Sequence, residues 1–343
     1  MKKTIAFTGG GTGWHVFPLV SIYNMLKEEE SYNFFWVWEE NGLEQEIAER
    51  NRIHFLPVAA GKIRRYFDLR NFFEPLKNLT WIVQAIGYIK KYNIDIIFSK
   101  WGYVSLPLCI AGKLLKKEVY IHESDTVTGA SNKYLSRFAT KIFYTFPNDK
   151  IDGKKHIYVG QILNPELTDY LENVEVIENE RLRVLVTWGS QGSTTIFQSL
   201  LKIIPELQEI DFEIILWEKN MHFRPDFKQY SNTKVHDFVT QKRLGKLYKD
   251  ADIAITRAGA TTLWELYYFG IHSIIIPLKN SANNHQVKNA LYFKEKFWSD
   301  IIDESNDLED HLKKLLYRYK ELRKSGLNLD GFFTPLEVIK EYL

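Results

Sequence analysis

The sequence contains almost no cysteine and no long apolar run. Its 343 residues include a single cysteine, Cys109, which excludes an internal disulfide and favours a reducing compartment. No stretch approaches the ~18 consecutive apolar residues of a membrane-spanning helix. The basic start at residues 1–3 is followed by glycines too soon for a signal peptide. The sequence therefore predicts a soluble protein, or one that only touches a membrane surface.

A large charge of either sign is also absent. The 45 basic and 43 acidic residues leave a net charge of +2, which is too small to indicate nucleic-acid binding over a wide surface. The hydrophobic fraction of 45% is typical of well-packed globular domains. Because 343 residues are many for one core, two domains of about 150–170 residues are expected.

Short apolar runs alternate with helical patterns in both halves of the chain. The runs are too apolar to face water on one side, so they predict parallel strands covered by helices on both faces. The predicted fold class is α/β, with two Rossmann-like, doubly wound domains facing a central cleft. The expected domains are 1–160, joined by a final helix at 335–343, and 161–334, with a hinge at 160–165.

Three glycine-bearing loops follow predicted strands, at residues 8–15, 100–105 and 187–192. A strand, a glycine loop and a helix start direct backbone N–H groups and the positive helix end toward a phosphate. The first helix is expected from Phe17. Taken alone, the first loop is an incomplete dinucleotide fingerprint, with Glu39 in the place of a ribose-binding acid. Three loops together favour a diphosphate and a second phosphorylated partner, although any one of them could be a tight turn without a ligand.

A further cluster lies at residues 257–265, where small residues separate a predicted strand from a helix. Its N–H groups and hydroxyls are suited to a phosphate, and Glu265 is placed to accept hydrogen bonds from a ribose diol. The alternative is a buried glutamate that satisfies backbone groups. Asn284, His285 and Gln286 begin the next helix, where they could bind sugar hydroxyls, or Asn284 could be only an N-cap.

Together these motifs resemble the MurG family of bacterial N-acetylglucosaminyltransferases. The matching stretches occur in the family's order at residues 8–18, 102–105, 121–125, 189–192, 257–265 and 285–290. The resemblance implies a GT-B fold of glycosyltransferase family 28 and an inverting hexosyltransferase. That enzyme moves GlcNAc from UDP-GlcNAc to the lipid-linked acceptor lipid I, giving lipid II, without a metal ion or cofactor. It also implies a peripheral location on the cytoplasmic face of the membrane, with the cell-wall and division machinery as a further partner.

The resemblance assigns site residues by position. Ser190 and Gln191 would approach the diphosphate, and Val239 would flank the uracil. The implied UDP-GlcNAc site comprises Thr12, Gly13, Trp14, Asp125, Ser190, Gln191, Gly192, Phe238, Val239, Arg257, Gly259, Ala260, Thr261, Thr262, Leu263, Trp264, Glu265, His285 and Gln286. The implied acceptor side, toward the diphosphate and lipid, comprises Gly10, Gly11, Gly102, Tyr103 and Ser105.

The transfer needs a general base for the acceptor hydroxyl. His15 is the first choice, since a histidine is neutral near pH 7, and Glu123 is the rival. His15 could instead orient the loop or bind the acceptor diphosphate. Helix N-termini near Thr194 and Thr261 would stabilise the departing UDP, with help from Arg257. Asp125 departs from the family, which has Asn there.

Tryptophan replaces the family's glycine once in each glycine loop, at Trp14, Trp101 and Trp188. Such loops use glycine for positive φ and for close approach to phosphate. We hypothesise that many of the nine tryptophans are glycines encoded by UGA in a lineage with an altered genetic code. If they are genuine, an inactive or repurposed homologue is expected.

Basic and aromatic residues alternate between Lys62 and Trp81. This pattern predicts a patch that docks on anionic lipid headgroups, while an ordinary loop and helix is the alternative. Nucleic acid is not expected as a partner, because no wider basic surface accompanies the patch. The rival functions are a GT-B transferase for another glycolipid and a catalytically inactive binding homologue.

Overall fold

The structure, a computed structural model, describes residues 2–10, 13–58, 74–100, 104–128, 130–168, 181–187, 194–237, 239–279, 281–297, 299–304, 307–323 and 339–343. The chain divides into two compact units. Unit 1 comprises Met1–Asn164 with Thr334–Leu343, and unit 2 comprises Pro165–Phe333. No helix of the described residues is long and apolar enough to cross a membrane.

Unit 1 is built on a parallel sheet in the order β3-β2-β1-β4-β5-β6-β7. Its strands are β1 Lys3–Thr8, β2 Tyr32–Trp38, β3 His54–Pro57, β4 Ile96–Ser99, β5 Glu118–Glu123, β6 Lys141–Tyr144 and β7 His156–Tyr158. Its helices are α1 Gly13–Leu26, α2 Leu43–Arg50, α3 Glu74–Lys91, α4 Ser105–Leu114 and α5 Ala130–Leu135.

Unit 2 repeats this plan with a parallel sheet in the order β10-β9-β8-β11-β12-β13. Its strands are β8 Leu182–Thr187, β9 Ile210–Ile215, β10 Thr233–His236, β11 Ile253–Thr256, β12 His272–Ile275 and β13 Asp300–Ile301. Its helices are α6 Pro165–Thr168, α7 Thr194–Ile203, α8 Arg224–Lys228, α9 Gln241–Asp250, α10 Ala260–Tyr268, α11 His285–Phe297 and α12 Leu308–Arg323.

The strand order reverses direction once in each sheet, between β1 and β4 in unit 1 and between β8 and β11 in unit 2. The last paired residues are Thr8 with Ser99, and Thr187 with Thr256. In doubly wound sheets ligands bind beyond the carboxyl ends of the strands at this switch point. All three predicted glycine loops and the 257–265 cluster leave strands there, so each unit presents its candidate loops at its own switch point.

The last residues of the chain pack on unit 1. Ile339 and Leu343 are buried in the core of that unit. The Lys3 Nζ atom donates to the Leu343 carbonyl at 2.7 Å, and the Tyr120 hydroxyl donates to the Tyr342 carbonyl at 3.1 Å. These contacts tie the chain's end to the amino ends of β1 and β5.

The structure differs from expectation in its shortest elements and in the starts of helices, such as α3, which begins at Glu74 where the pattern predicts Leu79. Strands β7 and β13 and helices α6 and α8 were not expected, because runs of two to five residues carry no recognisable periodicity. Helix α1 begins at Gly13 rather than at Phe17. Glycine and the internal Pro18 both weaken the local helix signal, so the sequence places the start too late.

Candidate functional site

In unit 2 the loop after β11 leads directly into α10. Gly259 is the N-cap of this helix, with extended backbone (φ −68°, ψ 125°) and no side-chain cap. A Cβ atom added to Gly259 would meet nothing within 4 Å, so open space adjoins the helix start. The first N–H groups of a helix have no partner within the helix and lie at its positive end. This helix start therefore has the properties of an anion site.

Two side-chain hydrogen bonds, one from Asn289 and one from Arg257 of the loop itself, hold the loop in place. The fully buried Asn289 of α11 donates from Nδ2 to the Ala258 carbonyl at 3.1 Å. Arg257 donates from Nη1 to the Ile276 carbonyl at 3.1 Å, at the end of β12. Asn289 lies in one of the family-matching stretches, but the sequence did not indicate that its amide fixes the loop.

Arg257 also forms a two-pronged ion pair with Glu304. Its Nη1 and Nη2 atoms lie 2.9 Å and 3.2 Å from the two carboxylate oxygens. Burial raises the pKa of Glu304, but hydrogen bonds from Arg257 and from Thr195 at the start of α7 outweigh it, and the net shift is downward. The guanidinium, expected to help the departing UDP, is thus engaged by a carboxylate that the sequence did not single out.

Glu265 is buried one turn into α10. The Tyr248 hydroxyl of α9 donates to its Oε2 atom at 2.9 Å. Burial raises the pKa of Glu265 to about 8, although the Tyr248 hydrogen bond opposes the shift. Burial also raises the pKa of Tyr248, with the charge of Glu265 adding to the effect. Glu265 is thus a buried carboxyl whose partner is a tyrosine hydroxyl, and its contact with a ribose diol stays a prediction.

The side chains of Leu263 and Trp264 do not belong to an open site. Both are buried, and the Trp264 ring packs against Tyr267, Phe293 and Phe297. The helix period turns these two side chains into the core, and their contact with the sugar nucleotide stays a prediction. Thr262 is also buried, whereas Thr261 is partly exposed.

At the start of α11, which carries His285 and Gln286, the structure adds Ser281, a residue that the sequence did not indicate. The Ser281 hydroxyl accepts from the Gln286 N–H at 3.2 Å, and the Gln286 Oε1 atom accepts from the Leu278 N–H at 3.0 Å. Asn284 has a left-handed φ of 54°, whereas an N-cap residue has extended backbone. Ser281, and not Asn284, therefore satisfies the start of this helix.

Val239 follows β10 and is half-buried, packed on a small apolar cluster that includes Leu244 and Leu247 of α9. Phe238, the preceding residue of the implied donor site, lies outside the described residues. So do other expected site residues, namely Gly11, Thr12, Gly102, Tyr103, Ser190, Gln191 and Gly192. Gly13, Trp14 and His15 form the first turn of α1.

In unit 1 the carboxyl end of β5 carries two predicted site residues, the rival general base Glu123 and Asp125 of the implied donor site. Glu123 is buried and accepts from the Asn132 Nδ2 atom of α5 at 3.0 Å and from the Asp125 N–H at 3.2 Å. Asp125 is half-buried. Ser105, expected to face the acceptor, is buried, and its hydroxyl accepts from Thr8 at 3.2 Å. Ser105 therefore joins α4 to β1, while the strand end presents Glu123 and Asp125.

Gly10 lies where no side chain fits. A Cβ atom there would come within 2.5 Å of Trp38 Cε2 and would also clash with the Glu44 carboxylate. The close approach of β2 and α2 therefore requires glycine at this position of the first loop.

Comparison with known proteins then decides the family. The N-terminal domain model of glycosyltransferase family 28 matches residues 5–144, and its C-terminal domain model matches residues 183–328. The chain belongs to glycosyltransferase family 28. Curated relatives in this family include proteins from Clostridium botulinum strain Langeland (33% identical, covering 100% of this chain and 99% of the relative) and Geobacillus thermodenitrificans (31%, 99% and 98%). Both are named UDP-N-acetylglucosamine–N-acetylmuramyl-(pentapeptide) pyrophosphoryl-undecaprenol N-acetylglucosamine transferase, the MurG activity.

Solved structures agree on the fold of this family 28 chain. The MurG of Acinetobacter baumannii superposes with a TM-score of 0.74 at 24% identity, covering 93% of this chain and 92% of that one. A UDP-GlcNAc 2-epimerase from Neisseria meningitidis bound to UDP-GlcNAc gives 0.65 at 13% identity, covering 99% of each chain. The predicted fold class, two doubly wound α/β units of the GT-B class, is confirmed.

Proposed function

We infer that this chain is a hexosyltransferase that moves GlcNAc from UDP-GlcNAc to lipid I, the undecaprenyl-pyrophosphoryl-MurNAc-pentapeptide, and so forms lipid II. The observation that carries this inference is the full-length similarity, at 31–33% identity, to relatives named for that reaction. The open helix start of α10 supports it, because a sugar nucleotide brings a diphosphate that such a site can hold.

We propose that residues 161–334 bind the donor. The α10 N–H groups receive the diphosphate, Glu265 receives the ribose hydroxyls, and His285 with Gln286 receives the GlcNAc hydroxyls. The clamp on Ala258 by Asn289 supports this assignment, because it fixes the loop before ligand arrives. Arg257 with Glu304 contributes a rigid, neutral pair that shapes the loop, rather than a free positive charge.

We propose that residues 1–160 with 335–343 bind the acceptor. In the transfer, an acceptor hydroxyl attacks the anomeric carbon of GlcNAc, a new C–O bond forms, and the bond to UDP breaks with inversion. The hydroxyl proton passes to His15, with Glu123 as the rival base, and UDP leaves with the bonding electron pair. The positive end of α10 stabilises the charge that develops on the leaving diphosphate.

We also propose that unit 1 docks on the anionic cytoplasmic face of the membrane. Of the predicted patch at 62–81, the structure describes the backbone of α3 from Glu74 onward. On α3, Leu79 and Val83 are 59% and 64% exposed and lie four residues apart on one face. Trp81 is 1% exposed and belongs to the core. Exposed apolar side chains beside a basic segment are suited to a peripheral contact with lipid. At that membrane surface the enzyme would also meet the cell-wall and division machinery.

A transfer assay tests the inference. Labelled UDP-GlcNAc and a lipid I analogue should give a labelled lipid II analogue, and the His15→Gln variant should lose a factor of about 10²–10⁴ in kcat, as expected when a general base is removed. His311→Gln, on the exposed face of α12, is the matched control and should keep full activity. Transfer only to a different glycolipid, or binding of UDP-GlcNAc without transfer, would refute the inference. If Glu123→Gln lost all activity while His15→Gln stayed active, Glu123 would be the general base in place of His15.

A further inference from the structure

Unit 1 contains a lysine whose ammonium group is buried at the ligand edge of its sheet. Lys100 directly follows β4, and its N–H donates to the Thr8 carbonyl at the end of β1 at 2.9 Å. Its side chain is 0% exposed. An ammonium group loses its hydration when it is buried, so such a position is costly unless protein groups replace the water.

The groups that replace the water come from the end of β5. The Lys100 Nζ atom lies 2.6 Å from His122 Nδ1 and also bonds the Ser124 hydroxyl. Because an ammonium group can only donate, Nδ1 of His122 is the acceptor and its ring proton lies on Nε2. Burial and the neighbouring ammonium lower the pKa of His122 well below its ordinary value, so the ring is neutral.

The network continues from His122 to the segment after β7. His122 Nε2 lies 3.1 Å from the Thr145 hydroxyl and 3.3 Å from the Gly160 carbonyl. The Thr145 hydroxyl in turn lies 3.2 Å from Gln161 Oε1. The donors and acceptors of this chain are matched from Lys100 to Gln161, so the network fixes the β5 end from both sides.

The negative charges that act on Lys100 are those of Glu123 and Asp125. Burial lowers the pKa of Lys100 to about 8, and the charges of Glu123 and Asp125 oppose that shift. Tyr144 of β6 also senses Glu123, because burial and then the Glu123 charge raise the pKa of Tyr144. Helix α5 contributes the neutral amide of Asn132. The buried ammonium group of Lys100 therefore lies in the field of the Glu123 and Asp125 carboxylates, and its contacts with His122 and Ser124 are on either side of Glu123 in the chain.

We propose that Lys100 is a positioning residue for the transfer reaction, which keeps Glu123 ionised and holds the β5 end, His122 to Asp125, in the arrangement that meets the acceptor. The proposal rests on the proposed function. The ammonium is enclosed by protein groups, so it acts through the strand end and does not contact substrate itself. Removal of the ammonium group alone leaves His122 Nδ1 and the Ser124 hydroxyl without their partner, so the test must separate a general loss of stability from a change in the pH dependence of transfer.

The test compares Lys100→Met, which removes the charge, with Lys100→Arg, which keeps it. The matched control is Lys117→Met, because Lys117 pairs with Asp95 at 3.2 Å at the opposite ends of the same strands. The pH dependence of kcat/KM for the acceptor is measured for each. Lys100→Met should lose at least tenfold at pH 6 but less than threefold at pH 8, because its Glu123 takes up a proton at a higher pH. Lys100→Arg and Lys117→Met should keep the native profile.

Loss of activity by the same factor at every pH would show a merely structural role, and an unchanged Lys100→Met would show no role. A second measurement does not depend on turnover or on the stability of a variant. Carbon-13 NMR of labelled glutamate carboxyls, assigned with Glu123→Gln, reports whether Glu123 is ionised in the native protein. A protonated Glu123 at pH 7 would overturn the proposal. An ionised Glu123 in a protein that transfers nothing to lipid I would refute the proposed function and leave the Lys100–Glu123 coupling standing.

Discussion

Glu265 should make unit 2 less stable as the pH rises. The fully buried carboxyl group has its pKa raised to about 8, so the folded protein keeps a proton that the unfolded chain releases near pH 4.5. Between these two values the folded state binds more protons than the unfolded state, so the free energy of unfolding falls with rising pH. The stability that the protonated Glu265 allows the folded state is complete below pH 4.5 and is lost as the pH approaches 8.

The Glu265→Gln variant isolates this effect, because glutamine is neutral, similar in shape and still able to accept from Tyr248. One unit of pKa shift corresponds to about 1.4 kcal/mol, so from pH 6 to pH 8.5 the native protein should lose about 2.5 kcal/mol relative to the variant. The variant should also bind UDP-GlcNAc more weakly, because its amide cannot become a carboxylate that accepts from the ribose hydroxyls.

The assay must report on unit 2 alone, since the two units need not unfold together. Pulsed hydrogen exchange at increasing urea, read on peptides from β11 and α10, gives that local free energy. Glu295→Gln on α11 is the control, because the Glu295 side chain is 71% exposed. An equal difference between native and Glu265→Gln protein at both pH values would refute the reasoning, as would the same effect in Glu295→Gln.

Two further predictions concern the membrane and the tryptophans. The double change Leu79→Glu and Val83→Glu should reduce co-sedimentation with anionic vesicles at least tenfold, because it places two charges on the exposed face of α3, whereas Leu322→Glu on α12 of unit 2 should not. Equal binding by both would remove α3 from the contact. Glycine at positions 14, 101 and 188 should raise the transfer rate at least tenfold over the tryptophan-containing chain, because glycine lets a loop backbone approach phosphate. UGG at those codons, or the same rate for both chains, would contradict the genetic-code hypothesis.

Much of the fold could be predicted because its signals are local. The apolar runs at 182–187 and 253–256 predict two strands, and the helical period at 241–250 predicts a helix. The structure has all three elements with these bounds. The edge strands β7 and β13 could not be predicted. They are too short for a pattern, and pairing with one neighbour forms them.

The sequence could locate the loops of the site but not the residues that hold them. A strand followed by small residues and a helix marks 257–265, but the partners of that loop lie far along the chain. Glu304 pairs with Arg257 across 47 residues and Asn289 holds Ala258 across 31, separations that no spacing rule connects. The contact between Lys100 and His122 differs from these two, because the strand register accounts for it. Ser99 pairs with Ile121 in the register of β4 and β5, so the following residues become neighbours once those strands are known to be adjacent.

The buried glutamates of the two units have opposite surroundings, and this divides their chemistry. Glu123 lies near a buried ammonium and accepts two N–H donors, which favours its charged form. Glu265 has a tyrosine hydroxyl as its partner, and burial favours its neutral form. When the surroundings of two carboxyl groups shift their pKa values in opposite directions, the two groups are suited to different tasks in a reaction. Glu123 is thereby suited to accept a proton or orient an acceptor hydroxyl. If ribose hydroxyls bind Glu265 as proposed, they add hydrogen-bond donors that favour its charged form, so we expect donor binding at neutral pH to release a proton.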